Sequence, residues 1–586
     1  MAATLVSSIT TGNAQNVGST GSANASTGAT TLTLQEMVSG KVQPYLDRAD
    51  AIATQIDANS QKIASYQQMQ TLLMALQSSM ANLTTQALEG ENSFYKRVAT
   101  MTSSGAAGVA PSDASALISA AVESRTAMGT HTIVVKQVAQ VEVDLSNTLK
   151  NTTTTQALGK SGTFQIYQAG KGAGVDITVS ETDSLTDIAS KINNVTGQTG
   201  VTASVVALSS SESVLVLTGS DENQKLSFKE VSGSVLTDIG VVKTNGDGAL
   251  VAANQTQAAQ PAELIVNGVA GITRDSNVID DVIDGVTLTL KGEDANTKIS
   301  LTVGADVSSI AGAIQNFVTA YNAWKGFVAT NQATKSDGSA ADTAILFGDS
   351  TLRVANTTLG SQIASMAAGV TDYSSAANLA GIGISLNSSN QLVINTVKLT
   401  AALTTNYQAV AALFQNTTSI DSSTADSGTT LKVAGTNYST YAGSLTFRYD
   451  GGVLKVLDAS NKDVSSSFSV NGSIISANSG SEFSGLRFSF SGTGALGTAI
   501  MTEGLANQIY ATSKTYGNPA TGSVQKLVSS LQDKGAAMTS RHTLLMAQAQ
   551  NYTTYLTEQY ASLSAKITTA NQTLLVLKAL LDAGKK

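Results

Sequence analysis

Apolar residues recur at steps of three and four along both ends of the chain, and this rhythm predicts two long helices. Near the C-terminus the stripe runs through Leu545, Ala549, Tyr552, Leu556, Leu563, Ile567, Ala570, Leu574, Leu577 and Leu581. Leu556, Gln559, Leu563 and Ile567 form a four-residue stutter, which locally unwinds a left-handed supercoil. If continuous from Gly522 to Ala583, the helix spans roughly 90 Å. Near the N-terminus a helix is predicted from about Leu34 to Ala87, with Ala49, Ile52, Ile56, Ile63 and Tyr66 on one face and Asn59 as a polar member. The rhythm resumes through Met69, Leu73, Leu76, Met80, Leu83 and Ala87 after a stammer, and Pro44 stands near the start. Threonines beside the C-terminal stripe (Thr553, Thr554, Thr568, Thr569) lose side-chain freedom in a helix, so that helix is firm only when packed. The two helices are expected to pair, with Leu574–Leu581 as the anchoring stretch; an ordinary helical hairpin inside a globular domain is the simpler alternative.

Between them the period changes to two. His131–Lys136 and Val141–Leu145 alternate as strands. Phe164–Tyr167, the turn Gly170–Gly174 and Val175–Val179 predict a hairpin, and Ser184 with Asp187 predicts a capped helix to Asn193. Further strands are expected at Val201–Val206, Val214–Thr218, Leu264–Val266 and Val286–Leu290. Helical spacing returns at Val307–Thr330 and Thr351–Met366. A third β module spans Leu431–Phe490 around the turn Asp450-Gly451-Gly452, and Pro519 precedes the last helical region. The fold class predicted is α+β and multidomain, with long antiparallel terminal helices and inserted β-rich head domains. The division expected is a disordered tail 1–32, a leg helix 33–92, a head domain in two parts (93–160 and 248–303), an outer β domain 161–247, a helical domain 304–420, an inserted β domain 421–505 and C-terminal leg helices 506–586. The Gly/Ser/Thr-rich tail could equally fold against a partner.

Composition narrows the chemistry. The chain has 586 residues, of which 13% are charged, and a formal charge of −8 with 34 basic residues gives no electrostatic footing for nucleic acid. A sparsely charged surface repels its own copies weakly, which suits self-association. Without cysteine, disulfides and thiolate chemistry are excluded. No apolar run reaches the about 18 residues of a membrane span, and Met1–Ala14 lacks the regions of a secretory signal. His131 and His542 have no ligand spacing around them and are expected to be structural or surface residues. Gly159-Lys160-Ser161 lacks the glycine a phosphate loop needs where Thr154 stands. Gly170–Gly174 reads as a turn, and Asp280, Asp281 and Asp284 as a solvated face. No enzyme, cofactor or metal site is expected.

Several blocks resemble the flagellar filament-capping family, flagellar hook-associated protein 2. They are Val266-Asn267-Gly268, Ile272–Asn277 and Gly285–Leu290; then Phe317–Asn322, Leu346–Arg353 and Leu379–Phe414 with Ile382-Gly383-Ile384, Lys398-Leu399 and Leu413-Phe414. Ser184–Val205 resembles a small motif shared by hook-associated proteins and flagellins, while the first helix and His131–Gln140 fit more loosely. The polar N-terminal tract and the β module from about Thr429 to Ser491 depart from the pattern. The resemblance implies an extracellular protein at the distal tip of the bacterial flagellum, passed unfolded through the flagellar export apparatus without a cleaved signal peptide. It implies a homo-oligomeric ring, expected to be a pentamer, whose legs contact flagellin and whose head plate retains exported subunits, with an export chaperone as an earlier partner. The candidate oligomer or flagellin contacts are then Ile52, Ile56, Ile63, Tyr66, Leu563, Ile567, Leu574, Leu577 and Leu581. A hook–filament junction protein, a minor flagellin and a surface adhesin are the alternatives.

Overall fold

A computed structural model of the chain describes residues 34–85, 91–150, 152–171, 174–364, 378–434, 439 and 441–583. The expected tail 1–32, Ala87, Met366 and the centre of the Gly170–Gly174 turn lie outside the described residues. The chain divides into two compact units, Met1–Gln86 with Ala311–Lys586, and Ala87–Ile310.

The first unit is organised by two long helices, α1 (Leu34–Ala81, 48 residues) and, at the other end of the chain, the 61-residue helix Ser523–Ala583. The shorter helices α2 (Val307–Asn331), α3 (Ser350–Ala364) and α4 (Leu505–Gly517) lie between them in sequence, so the terminal helix is α5. Ala49, Met69, Leu73, Leu76 and Met80 are wholly buried along one face of α1, as their spacing requires. Asn59 of α1 meets Leu531 of α5, Gln70 meets Gln525, and the Tyr45 ring lies 5.6 Å from Tyr552. Rising numbers on one helix against falling numbers on the other make the pair antiparallel.

The expected continuation of α1 to Ala87 is corrected. The helix stops at Ala81, where Thr84 turns its hydroxyl onto the Ala81 carbonyl and the Leu83 N–H donates to Met80. Thr85 is then taken by a buried amide network: its N–H donates to Asn507 Oδ1, while its hydroxyl accepts from the Asn416 N–H at 2.7 Å. Short polar side chains that bond nearby backbone compete with helix propagation.

The inserted β module is larger than Leu431–Phe490. Strands Thr417–Asp421 and Gly494–Thr502 join Gly443–Asp450 and Val453–Asp458 in one four-stranded antiparallel sheet. Thr430–Val433, Arg487–Ser491, Ile474–Ala477 and Phe468–Asn471 form a second. A core of Leu445, Phe447, Phe468, Phe483 and Phe488 is shared by both sheets. Gly451 and Gly452 both take positive φ in the two-residue turn between Asp450 and Val453, a conformation that only glycine adopts without cost.

The second unit holds two cores. The inner one underlies a five-stranded antiparallel sheet in the order Arg97–Gly105, Thr297–Ala305, Gly129–Gln137, Ala262–Val266, Val269–Arg274, together with the three-stranded sheet of Val278–Ile283, Val286–Leu290 and Ile118–Val122. The outer one gathers Phe164, Ile166, Ile188, Ile192, Leu215 and Leu217 beneath Gly162–Gln168, Val201–Ser209 and Glu212–Gly219. The helix Leu185–Asn193 packs into it with the full capping box expected from sequence: the Asp187 N–H donates to Ser184 Oγ, and the Ser184 N–H to Asp187 Oδ2.

Candidate assembly site

The antiparallel register decides how much of α5 is covered. Val38, Val42 and Leu46 pack against Ala549 with Tyr552, Leu556 and Tyr560 around them. That contact brings Tyr560 to the first turns of α1. Residues 561–583, about 35 Å of helix, are exposed throughout.

The exposed end keeps the apolar rhythm. Leu563, Ile567, Ala570, Leu574, Leu577 and Leu581 follow steps of four and three without a break, the spacing of a coiled-coil seam. Leu574 is 64% exposed and Leu581 62%. Leu575, Val576 and Leu580, which the stripe did not single out, are also exposed and widen the face. Their signal in the sequence is the run Leu574-Leu575-Val576-Leu577, too apolar for a one-sided helix. Large exposed apolar faces are, on proteins in general, enriched at interaction surfaces.

The candidate contacts therefore fall into two groups. Ile52 and Tyr66 are buried within the first unit, and Ile56 and Ile63 half-buried, so α1 uses them inside its own fold. The Tyr66 hydroxyl donates to Asp349 Oδ2, and burial first, then that bond, raises the phenol above its usual range. The other oxygen of Asp349 accepts the Leu352 N–H at 2.9 Å and caps α3. Leu563, Ile567, Leu574, Leu577 and Leu581 form the exposed group. The expected pairing of Leu574–Leu581 with α1 is corrected: among the described residues it does not occur, because the described part of α1, from Leu34 to Ala81, lies beside α5 only as far as Tyr560.

Polar contacts unseen in the sequence hold this arrangement. Asn59 Nδ2 donates to the Leu531 carbonyl at 2.9 Å, which explains the polar residue in an apolar stripe. At the base of the inserted module, Asn507 Nδ2 donates to Asn416 Oδ1, which also takes the Gly504 N–H. Asn416 and Gly504 flank the strands Thr417–Asp421 and Gly494–Thr502, so the clamp gathers the module's entry and exit with the end of α1. His131 Nδ1 lies 3.1 Å from Asn267 Nδ2, and His542 is half-buried on α5. Among the described residues no group of three His, Cys, Asp or Glu is placed to hold a metal, and no helix is long and apolar enough to cross a membrane.

Comparison with known proteins bears on what such a helix serves. Residues 259–572 match the flagellar hook-associated protein 2 C-terminus, residues 30–142 the N-terminus of the same family, and residues 163–221 the flagellin hook IN motif. Flagellar hook-associated protein 2 of Escherichia coli K12 is 30% identical over 295 residues, 49% of this chain and 61% of that protein. The A-type flagellar hook-associated protein 2 of Pseudomonas aeruginosa is 28% identical over 273 residues, 44% of this chain and 56% of that protein. The crystal structure of the D1-D2-D3 domains of the flagellar cap protein FliD from Escherichia coli is similar at 26% identity and a TM-score of 0.43, over 60% of this chain and 90% of that one. The chain thus spans a little over half the length of the curated relatives it matches. Since the C-terminal match alone takes in more than half of its residues, the chain belongs to the flagellar hook-associated protein 2 family.

Proposed function

We propose that the chain is a non-enzymatic cap at the distal tip of the bacterial flagellar filament, a ring of identical subunits that retains exported flagellin and promotes its folding and insertion. The observation that carries this is the unpaired apolar end of α5, a helix face that needs a partner from outside the chain's described fold. Burying one such Leu or Ile contributes roughly 1.5–3 kcal/mol. Joining two free proteins costs an estimated 4–15 kcal/mol, about 15 at its upper end. Leu563, Ile567, Leu574, Leu577 and Leu581 together thus only about match that cost for a single pair. Several helix ends engaged at once around a ring overcome it, because each later contact is intramolecular. This favours assembly at a shared growing tip over random pairing in solution. Self-association into a ring, contact with flagellin, handling by an export chaperone and an extracellular position belong to the same proposal.

The test replaces Leu574 and Leu577 by Asp in cells that lack the native chain. The expected result is lost motility and monomeric flagellin in the medium. Normal filaments would overturn the proposal. Labelled wild-type protein found at the hook or along the shaft, and not at the tip, would instead favour a junction protein or minor flagellin.

A further inference from the structure

The segment Val141-Glu142-Val143-Asp144-Leu145 alternates apolar and acidic residues, and such a strand ordinarily turns its acids to water. Here the faces are reversed. Val141, Val143 and Leu145 are half-exposed, whereas Glu142 is 3% exposed and Asp144 fully buried. Asp144 stands opposite Leu217 and Gln255 in the strands on either side, and Leu217 belongs to the outer core of the second unit. The acidic pair is therefore turned inward, Asp144 beside the core residue Leu217.

Glu142 Oε2 accepts the Leu226 N–H at 3.3 Å, while neither oxygen of Asp144 meets a donor from another residue. Two carboxylates offer each other no donor, and a buried charge without one is costly. The surroundings do not neutralise them. Asn254–Gln257 carries no ionisable side chain, and Glu212–Gly219 only Glu212 at its far end. In the following loop Asp221 pairs with Lys171 at 3.0 Å, and Glu222 accepts from Asn277. Lys225 precedes Leu226, and Lys229 and Glu230 follow it on Leu226–Ser232, with Glu230 accepting the Thr237 N–H. Among the described residues, no ion pair reaches Glu142 or Asp144.

The position matters as much as the burial. The chain leaves the inner core of this unit after Gln137 and returns at Ala262, and Gln140 and Gln260 exchange backbone hydrogen bonds between the two crossings. Gln257 Nε2 donates to the Val141 carbonyl beside the pair. Glu142 and Asp144 thus sit where the outer core is joined to the inner one.

We propose that Glu142 and Asp144 share one proton, and that this proton latches the outer core at its base, so that the outer core loosens as the pH rises. With Asp144 as the acid, its O–H donates to the Glu142 carboxylate, and one negative charge remains in place of two. Burial first, then the Glu142 charge and hydrogen bond, push the Asp144 carboxyl up to about 7. The folded value lies above that of an unfolded Asp. The latch is therefore complete in acid below the unfolded value, is lost progressively as pH rises, and is gone above about 7.

Hydrogen exchange on the intact chain tests this. The Glu212–Gly219 amides are followed from pH 5 to 8.5 and referenced to the Thr297–Ala305 amides of the inner sheet. Protection of the outer strand is expected to fall relative to the reference by up to about tenfold per pH unit between pH 5 and 7, then level off, and Asp144→Asn should abolish the slope. An unchanged ratio in the wild type, or the same slope in D144N, overturns the latch. Should D144N fail to fold, the infrared spectrum of the wild type decides. A protonated-carboxyl band is expected at pH 5.5 and should vanish by pH 8.5; without that band the proposal fails.

Discussion

Asn59 Nδ2 reaches across from α1 to the carbonyl of Leu531 on α5, at 2.9 Å, and holds the two helices in one register. Gly535 makes room for the contact, since a Cβ there would come within 3.0 Å of the Asn59 amide nitrogen. A single polar residue in an apolar seam selects one alignment over its slipped neighbours. Replacing Asn59 with Ala should lower stability by about 1 kcal/mol. Urea unfolding is the measurement, and an unchanged midpoint would contradict the assigned role.

Tyr66 and Asp349 tie the buried face of α1 to the cap of α3. Tyr66→Phe removes the donor and keeps the ring, so the expected loss is roughly 1.5–3 kcal/mol, the range for hydrogen bonds to charged groups. Because its folded value is raised, the phenol should remain protonated where exposed tyrosines ionise; its stabilising contribution is complete below the unfolded tyrosine value and is lost progressively as pH rises above it. An ultraviolet titration of wild type against Y66F should lack an ionisation near the ordinary tyrosine value.

Asn507 serves Thr85 and Asn416 together. Asn507→Ala leaves the Thr85 N–H buried without its acceptor, at an expected cost of about 1–3 kcal/mol. Limited proteolysis should then cut sooner at the junctions near Asn416 and Gly504 than inside the two-sheet core. Unaltered cleavage kinetics would show that the clamp does not hold the module's base.

At Gly517, the last residue of α4, an added Cβ would stand 2.7 Å from Leu73 Cβ on α1. Gly517→Ala should destabilise the first unit by about 1–3 kcal/mol through overpacking, seen as a lower thermal midpoint. A neutral or stabilising result would mean that α4 can shift away freely.

Leu574→Asp provides a contrast. The residue is exposed, so unfolding of the isolated chain should change by no more than about 0.5 kcal/mol, whatever happens to assembly. A large loss of stability in the monomer would show that the end of α5 is covered within the chain after all.

Both terminal helices, the Ser184–Asp187 cap and the glycine turn after Asp450 could be read from the sequence, because each follows from residues a few places apart. The family likeness was equally legible, in the blocks from Val266 to Phe414. The apolar stripe announced that α5 must pack against something, but a stripe carries no information about where its cover ends. That depended on the register in which Asn59 meets Leu531, a contact between residues far apart in the chain. The same limit hid the stop at Ala81, imposed by Asn416 and Asn507, and the inward turn of Glu142 and Asp144, which alternation alone would send outward. Local periodicity thus determined which elements form and which face of each is apolar. Only the tertiary structure decided which of those faces are covered, because register and burial arise from contacts between segments that no local pattern encodes.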